Sequence, residues 1–571
     1  MKIDKKLKFE PNLENYEETY KSFNWDYAFD EIEGLDGGKL NAAYEAVDRH
    51  AKSRRKNKIA LYFESGDGRK EKYTFREMRN LSNKFTNLLE SNGAAKGDRV
   101  FIFLPRSPEL YISFLGTLKM GAIAGTLFSA FGTAGLKDRL GDSGAKFIAT
   151  THELEKRLNE VRGELPELET AIIVDGEAME EGDISYEKEM ARASSKYDIK
   201  PMNPEDDAFM LYTSGTTGKP KGICHTHKAI AQQHLSAKWI LDLKDEDTYW
   251  CTADPGWVTG IAYGILGSWS NGVSSVAYGG RFDPKRWYSI LEEYEVSVWY
   301  TSPTAIRMLM RAGEDVLKKY DLSNLRYVCS VGEPLNPDAV RWGMKELGLP
   351  IHDNWWQTET GGILISNYPS LPIKPGSMGK PFPGITATIL DEDGNELPHG
   401  TEGDLAIKPP WPSMMKEVWK NEEKYKSYFE GDWYLTGDRA WEDEEGYFWF
   451  VGRADDVIKT AGERVGPFEV ESALLEHEAI VEAGVIGKPD PLRGEIIKAF
   501  IVLAKGFEPS EELKDDVKRF VKKRLAGHAY PREMEFASSL PKTRSGKIMR
   551  RILKAKELGQ PIGDTSTLIG T

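Results

Sequence analysis

Short apolar runs alternate with stretches of helical apolar spacing along most of the chain after residue 59. The spacing predicts helices over 74–91 and 108–119, and strands over 99–104 and 146–150. Strands that alternate with helices form parallel sheets covered by helices. The pattern therefore predicts an α/β fold for this part of the chain.

Two further strands are predicted at 297–302 and 327–331, and each runs into a turn that contains Gly or Pro. In α/β sheets, ligands collect at the carboxyl ends of the strands. We therefore expect the loops at 330–334 and 353–362 to line one cleft.

The pattern changes after residue 372, where shorter β-like runs alternate with Gly and Pro turns and predict a β-rich subdomain over about 372–452. It changes again at Gly452-Arg453-Ala454-Asp455-Asp456, beyond which the residues predict a small α+β unit. The expected organisation is a large N-terminal domain over 1–452 with residues 1–60 packed on it as an extension, a hinge at 453–456, and a small mobile C-terminal domain over 457–571.

Composition narrows the class of protein. A chain of 571 residues can hold several cores, and its net charge of -14 argues against nonspecific binding to nucleic acid. Its three cysteines lie far apart without disulfide or zinc spacing, which indicates a reducing compartment. The longest apolar window, 110–131, carries Lys119 near its middle, which costs about 2.5–3.5 kcal/mol to insert into a membrane. We expect a buried helix and strand there, no membrane partner and a cytoplasmic location.

The stretch from Leu211 to Gly222 reads Leu-Tyr-Thr-Ser-Gly-Thr-Thr-Gly-Lys-Pro-Lys-Gly. It follows an apolar run that predicts a buried strand, and a helix is predicted after it with Thr226 as the cap. Hydroxyls and unpaired N–H groups in such a turn suit phosphate oxygens. The Walker pattern is excluded because Lys219 is followed by Pro220. A phosphate-binding loop is favoured, and a solvated turn is the alternative.

Two histidines beside this loop, His225 and His227, could suggest a metal pair. No other ligand cluster accompanies them in the sequence, so we expect core or capping roles for both.

Together with the phosphate loop, four segments in order resemble the adenylate-forming superfamily of acyl-CoA synthetases, luciferases and peptide-synthetase adenylation domains. The segments are Asp353-Asn354-Trp355-Trp356-Gln357-Thr358-Glu359-Thr360-Gly361, Tyr434-Leu435-Thr436-Gly437-Asp438, Gly452-Arg453-Ala454-Asp455-Asp456 and Pro541-Lys542-Thr543-Arg544-Ser545-Gly546-Lys547. The resemblance covers roughly residues 60–555. Within the superfamily, Trp355-Trp356 and Gly256-Trp257-Val258-Thr259-Gly260 resemble acetyl-CoA synthetases in particular.

The resemblance implies an AMP-forming acetate–CoA ligase that uses ATP, Mg²⁺ and coenzyme A, with an acetyl-adenylate intermediate. Two alternatives stay open: a synthetase for propionate or a longer acid, and a carrier-protein-charging adenylation module. Ile261 stands where some relatives carry His, and residues 527–536 resemble medium-chain relatives, which bears on the length of the acid.

The resemblance also implies roles for individual residues. Contacts to ATP or AMP are implied for Thr213, Ser214, Gly215, Thr216, Thr217, Lys221, Gly332, Glu333, Pro334, Asp353, Asn354, Trp355, Gln357, Asp438, Arg453 and Arg464. Within this set Asp438 would accept from the ribose hydroxyls. Thr358 would contact the α-phosphate, Glu359 would bind magnesium, and Lys547 would bridge the carboxylate and the α-phosphate during adenylation. Lys547 would also be open to a lysine acyltransferase or deacylase.

The remaining implied roles concern the acid, the thiol and the domain movement. Trp356 would shorten the acid channel, with Val258, Thr259 and Val331 closing the rest around a methyl group. Coenzyme A contacts are implied for Thr259, Ala461 and Lys522, a pivot for Asp455, and a structural cation for the backbone carbonyls of Leu475, His477 and Ile480.

Overall fold

The computed structural model describes residues 2–3, 5, 7, 9–213, 220–460, 463–525, 529–543, 547–562, 565 and 568. Within these residues the strands assemble into four sheets of nine, eight, five and five strands. No helix in the described ranges has both the length and the apolar character that crossing a membrane requires.

The strands are numbered in chain order. They are β1 Ile59–Glu64, β2 Lys70–Thr74, β3 Arg99–Phe103, β4 Ile123–Thr126, β5 Phe147–Thr150, β6 Thr170–Ile173, β7 Ile184–Ser185, β8 Asp207–Thr213, β9 Lys221–Thr226, β10 Thr248–Cys251, β11 Ser274–Tyr278, β12 Val298–Thr301, β13 Tyr327–Ser330, β14 Ile351–Trp355, β15 Ile365–Ser366, β16 Lys380–Pro381, β17 Ala387–Leu390, β18 Gly403–Ile407, β19 Glu417–Val418, β20 Phe429–Glu430, β21 Trp433–Glu442, β22 Phe448–Arg453, β23 Ile458–Thr460, β24 Glu463–Val465, β25 Ile480–Asp490, β26 Gly494–Leu503 and β27 Glu533–Phe536.

The α-helices are numbered in the same way. They are α1 Tyr16–Ser22, α2 Asp26–Asp30, α3 Arg49–Ala51, α4 Phe75–Ser91, α5 Pro108–Lys119, α6 Thr133–Ser143, α7 His152–Asn159, α8 Tyr186–Arg192, α9 Ala229–Trp239, α10 Val258–Ile261, α11 Gly267–Ser270, α12 Pro284–Glu293, α13 Pro303–Ala312, α14 Glu314–Leu317, α15 Pro337–Trp342, α16 Glu422–Lys426, α17 Pro467–Leu475, α18 Glu511–Arg524 and α19 Arg550–Leu558. Short 3₁₀ or π turns occupy Tyr44–Asp48, Arg54–Asn57, Arg162–Glu164, Ala262–Leu266 and Gly343–Leu347.

The two largest sheets are parallel in their centres, and antiparallel pairs lie at both edges of the first and at one edge of the second. The first runs β16-β15-β14-β13-β12-β10-β11-β1-β2, with parallel pairing from β14 to β1. The second runs β19-β9-β8-β4-β3-β5-β6-β7, with parallel pairing from β8 to β7. This arrangement confirms the α/β prediction.

The third and fourth sheets come from the last third of the chain. β17, β18, β20, β21 and β22 form an antiparallel sheet, as expected for the β-rich segment. β23–β27 form a mixed sheet whose apolar face packs on α17 and α18 around Val470, Val485 and Val517. The segment between Arg453 and Ile458, which contains the predicted hinge, connects these two sheets.

Local sequence signals explain where α4 and α5 begin and end. Thr74 caps α4 through a reciprocal capping box with Glu77, and Pro108 occupies the first turn of α5. Lys119, at the end of α5, is buried and satisfied by Asp48 at 2.7 Å and by Oδ1 of Asn83 at 2.7 Å. The apolar window around Lys119 is therefore a buried helix and strand, as predicted.

One local prediction was wrong. The segment 214–219 connects two antiparallel strands, β8 and β9, with Thr213 opposite Lys221, and does not lead directly into a helix. Residues 222–226 are buried and β9 pairs with β8 and with β19, so tertiary pairing extends this strand through Thr226. The N-cap residue of α9 is Lys228 and not the predicted Thr226.

Candidate functional site

The site forms where β13 and β14 of the first sheet end beside β21 of the third sheet. Trp355, the last residue of β14, donates its indole N–H to Oδ2 of Asp438 on β21 at 2.9 Å. Gln357 donates its side-chain amide to the same oxygen at 3.1 Å. Asp438 is buried, and this burial raises the pKa of its carboxyl although Arg453 and Trp355 favour the charged form. Two predicted motifs, separated by about eighty residues, thus meet at one carboxylate.

The second oxygen of Asp438 has a different environment. Oδ1 is buried and has no hydrogen-bond donor among the residues that the structure describes, while Nε of Arg453 lies 3.3 Å away as its charge partner. A buried acceptor needs a donor, because leaving it unsatisfied costs free energy. The carboxylate is therefore held by one oxygen and offers the other, as recognition of a ribose hydroxyl requires.

Lys547 reaches this cleft from the C-terminal region. Its backbone N–H donates to Oγ1 of Thr543 at 3.1 Å, and its carbonyl accepts from the N–H of Thr543 at 2.9 Å, which ties Lys547 to Thr543. The side chain is accessible to solvent, yet enough protein surrounds its ammonium to lower its pKa, first by desolvation and then through the charge of Arg453. Glu333 and Asp438 oppose that shift. The structure thus brings the predicted catalytic lysine within electrostatic reach of the predicted nucleotide residues.

Several cationic side chains lie near Glu359. Tyr428 donates its hydroxyl to Oε1 of Glu359 at 3.0 Å. Lys221 lies close enough to Glu359, Lys424 and Arg453 for each to act on it, and its pKa is lowered, mostly by burial and then by Lys424. Such crowded positive charge favours an anionic ligand. Thr358, which precedes Glu359, is half-buried.

A carboxylate such as Glu359 is chemically suited to Mg²⁺, which is usually held by one or two carboxylates together with substrate phosphates. No group of three or more His, Cys, Asp or Glu side chains in the described part of the chain could hold a metal by itself. The chemistry of Glu359 fits a magnesium ion that is shared with a substrate phosphate.

The Gly332-Glu333-Pro334 turn is held by side chains of the neighbouring strand β14. Oδ1 of Asp353 accepts from the Ser330 hydroxyl at 2.8 Å, and Oδ2 accepts from the Leu335 N–H at 3.2 Å. Burial raises the pKa of Asp353 to about 7. Asn354 donates to the Ser330 carbonyl at 2.9 Å. Asp353 and Asn354 therefore shape the turn that carries the predicted nucleotide residues.

Trp356 lies in an aromatic enclosure that the sequence did not indicate. Its ring meets the Tyr263 ring edge-on at 5.1 Å, and its N–H points to the Tyr300 hydroxyl at 3.4 Å. Tyr300 in turn donates to Oδ1 of Asn354 at 2.9 Å. The half-buried indole belongs to the same apolar cluster as Val258 and buried Val331, and Thr259 is half-buried in α10 beside Val258. Tyr263 and Tyr300 thus fix the position of Trp356, and the acid pocket itself stays a prediction.

Several predicted contacts lie elsewhere or outside the described residues. The guanidinium of Arg464 pairs with Glu392 and makes no described contact in the cleft, and Lys522 lies over the Tyr530 ring at 5.4 Å. The His477 imidazole accepts from Ala479 N–H at 3.2 Å, and its carbonyl already accepts from Ile480 N–H at 2.9 Å. Ser214, Gly215, Thr216, Thr217 and Ala461 lie outside the described residues.

The core interpretation of the two histidines beside the phosphate loop is confirmed. His225 and His227 are buried, and burial lowers the pKa of His225 to about 4 and that of His227 to about 3. His225 stacks on Phe209, and His227 accepts from the Ala42 N–H at 3.1 Å.

The chain is similar to known proteins in sequence and in fold. Residues 47–419 match the family model described as AMP-binding enzyme, and residues 469–547 match the AMP-binding enzyme C-terminal domain. The chain is 59% identical to an acetyl-coenzyme A synthetase of Bacillus subtilis (strain 168), with 98% of this chain and 97% of the relative covered. It is 46% identical to an acetyl-coenzyme A synthetase of Methanothrix thermoacetophila, with 93% and 85% covered.

Two solved structures are also similar. A Brucella canis acyl-CoA synthetase aligns with a TM-score of 0.76 and 37% identity, covering 96% of this chain and 99% of that one. The anthranilate CoA ligase AuaEII in complex with anthranoyl-AMP aligns with a TM-score of 0.85 and 31% identity, covering 93% and 99%.

Proposed function

The chain belongs to the AMP-binding enzyme family, and we propose that it is an AMP-forming acetate–CoA ligase that converts ATP, acetate and CoA to acetyl-CoA, AMP and diphosphate. A carboxylate is a poor acylating agent until its oxygen becomes a good leaving group. Attack of the acetate oxygen on the α-phosphorus of ATP forms acetyl-adenylate and expels diphosphate. The CoA thiol then attacks the acetyl carbon and expels AMP.

Neither step needs a protein nucleophile. Adenylation needs positive charge placed where the α-phosphate gains negative charge, together with a fixed position for both reactants. The observation that carries the proposal is the convergence of Lys547, Arg453 and Asp438 from different regions of the chain. Asp438 would orient the ribose, Lys547 would bridge the two anions, and Lys221 would bind the outer phosphates. Glu359 would hold Mg²⁺, which would supply charge neutralisation at the phosphates.

Acetate is the favoured acid because Trp356 occupies the channel that a longer acyl chain would need. Each buried methylene contributes only about 0.8 kcal/mol, so a methyl pocket must reject longer acids by steric clash. One methylene discriminates by roughly 1–3 kcal/mol, and we therefore expect propionate to be a slow substrate.

The remaining site roles are part of the same proposal. Thr259 and Ala461 would face the pantetheine arm and Lys522 a nucleotide phosphate of CoA, while Arg464 would reach the phosphates only if its pair with Glu392 opened. The cation at Leu475, His477 and Ile480 stays a prediction.

Two cellular properties complete the proposal. A cytoplasmic location is supported by three free cysteines, because disulfides are rare in reducing compartments. Lys547 would be a target for a lysine acyltransferase and a deacylase, which its accessibility and lowered pKa support.

The proposal is tested by measuring AMP release with ATP and CoA across an acid series from C2 to C8. We expect the highest kcat/KM with acetate, a lower value with propionate and little turnover beyond. Preference for a C4 to C8 acid would replace the acetate assignment, and AMP release that does not depend on CoA would contradict the thioester step.

A further inference from the structure

A continuous series of hydrogen bonds leads from the Gly332-Glu333-Pro334 turn into the C-terminal region. Thr304 and Arg307 donate to the Glu333 carboxylate, each at 2.7 Å. Arg307 also donates to Oδ1 of Asn336 at 3.2 Å. Asn336 then donates its amide to Oγ of Ser472 on α17 at 2.7 Å. The series therefore joins a nucleotide-site turn to the region that carries Lys547.

Asn336 does not make the side-chain hydrogen bond that is usual at its position. It occupies the cap position of α15, where Asn normally accepts a hydrogen bond from the first turn of its own helix. Its side chain makes no such bond here, although the residue is buried. Its oxygen accepts from Arg307 and its nitrogen donates to Ser472. Asn336 thus gives up local capping for a contact with the C-terminal region.

Ser472 lies on α17, which is bonded to Arg550 at the start of α19. Its neighbour Glu471 accepts from Nε of Arg550 at 2.8 Å and from the Val485 N–H at 2.9 Å. Arg550 follows Lys547 by three residues. These bonds tie α17 to the start of α19, just after Lys547. A second contact, Arg311 to Glu482 at 3.7 Å, spans the same boundary.

We propose that Arg307, Asn336 and Ser472 form a latch that holds Lys547 over the nucleotide site for adenylation and opens for thioester formation. This inference rests on the proposed two-step function. The C-terminal region cannot hold Lys547 over the nucleotide site and present a different face to CoA at the same time. The contact is therefore needed in the first half-reaction only. Asn336 and Ser472 are positioning residues that act through Lys547.

The test separates the two half-reactions in Asn336→Ala, Ser472→Ala and the double variant. We expect acetate-dependent exchange between ATP and pyrophosphate to fall about three- to tenfold in each single variant, the effect of one lost hydrogen bond. Conversion of supplied acetyl-adenylate and CoA to acetyl-CoA should stay within about twofold of wild type, which also verifies folding. The double variant should be no slower than the slower single variant, because both remove one shared contact.

Asp338→Asn is the matched control. Asp338 lies on α15 two residues from Asn336, but its carboxylate pairs with Arg341 at 2.5 Å on the exposed face. Both half-reactions should be unchanged in this variant.

Equal loss of both half-reactions in Asn336→Ala and Ser472→Ala would overturn the latch in favour of general structural support, and unchanged exchange would overturn it outright. Additive losses in the double variant would also contradict it. Exchange is measured with acetate and with any C2 to C8 acid that the wild type activates. Failure with acetate alone therefore overturns only the acid assignment, whereas a wild type that activates no acid overturns both proposals.

Discussion

The indole nitrogen of Trp355 lies 2.9 Å from Oδ2 of Asp438, and this bond joins the end of a strand in the first sheet to a strand in the third. Gln357 adds a second donor to that oxygen at 3.1 Å. The two bonds fix the rotation of the carboxylate, so its other oxygen faces away from both donors. A rigid acceptor of this kind binds a hydroxyl without first paying for its own ordering.

Replacing Asp438 with Asn should weaken ATP binding in a way that depends on the sugar. The amide oxygen can satisfy Trp355 and Gln357, which leaves an NH₂ donor where a ribose hydroxyl needs an acceptor. We expect KM for ATP to rise about ten- to hundredfold, the usual effect of losing a hydrogen bond to a charged group. Wild type should prefer ATP over 2′-deoxy-ATP, and the variant should lose that preference.

Asp404→Asn is the control for this prediction, because Asp404 pairs with Arg439 at 3.2 Å on the neighbouring strand. Its KM for ATP should match wild type. A variant at Asp438 that still prefers ATP over the deoxy analogue would contradict the ribose role.

Removing the charge of Lys547 should affect one half-reaction. We expect Lys547→Ala to reduce acetate-dependent pyrophosphate exchange by on the order of 10²–10³-fold, the effect of losing a pre-placed charge. The same variant should still convert supplied acetyl-adenylate to the thioester. Since the lysine pKa is lowered and the charged form is required, exchange by wild type should decline as pH rises towards the ordinary lysine range.

Lys554→Ala provides the comparison, because its ammonium lies 3.6 Å from Glu495 and outside the described contacts of the cleft. It should retain both half-reactions. Equal loss of the two half-reactions in Lys547→Ala would refute the bridging role.

How much of this could be predicted from sequence depends on whether the signal is local. α5 spans 108–119, as the apolar spacing predicts, because its periodicity and its N-terminal Pro108 lie within the element itself. β9 was missed because pairing on both edges, which local spacing does not encode, keeps residues 221–226 extended.

The same reason explains the site residues that were missed. Tyr263, Tyr300 and Tyr428 contact predicted residues from elements 56 to 93 positions away in the chain, and Arg307 reaches Glu333 from 26 positions away. The residues next to each tyrosine in the chain carry no mark of such a role. Only the assembled fold identifies these side chains as supports of the cleft.

Shortening Trp356 should lengthen the acid pocket. We expect Trp356→Gly to accept butyrate and longer acids, measured as kcat/KM for AMP release across the C2 to C8 series. Tyr300→Phe should give a smaller shift, because it removes the hydroxyl that orients the indole and donates to Asn354 but leaves the indole in place. Trp449→Gly removes an indole that stacks on Trp441 in the third sheet and should keep the wild-type acid preference. An unchanged preference in Trp356→Gly would show that the pocket lies elsewhere.

Restricting the backbone at Asp455 should block the proposed domain movement. Proline fixes φ near −65°, and a hinge works by changing such angles. We expect Asp455→Pro to spare pyrophosphate exchange and to block thioester formation. Asp455→Asn removes the charge that lies 4.0 Å from Arg453 but leaves the backbone free, so it should retain both half-reactions. Normal overall turnover in Asp455→Pro would exclude the pivot.

Burial of Asp353 should make stability depend on pH with a defined sign. Its pKa is raised from an ordinary value of 3.8 to about 7, so the native protein keeps a proton that the unfolded chain has released between about pH 4 and 7. The free energy of unfolding therefore falls as pH rises through that range, by at most about 1.4 kcal/mol per pH unit from this group. Asp353→Asn has no such proton, and its amide can still accept from Leu335 and donate to Ser330.

In urea unfolding from pH 5 to 8, the stability of Asp353→Asn relative to wild type should accordingly increase up to about pH 7 and then level off. Asp245→Asn is the comparison, because burial raises the pKa of Asp245 but bonds to Arg55 and Lys58 outweigh it and bring the value to about 2. The difference in stability between Asp245→Asn and wild type should be constant from pH 5 to 8, because Asp245 loses its proton at lower pH in both the folded and the unfolded state. A constant difference for Asp353→Asn as well would mean that the carboxylate is charged in the folded protein, and its hold on the Ser330–Leu335 turn would then be that of an anion.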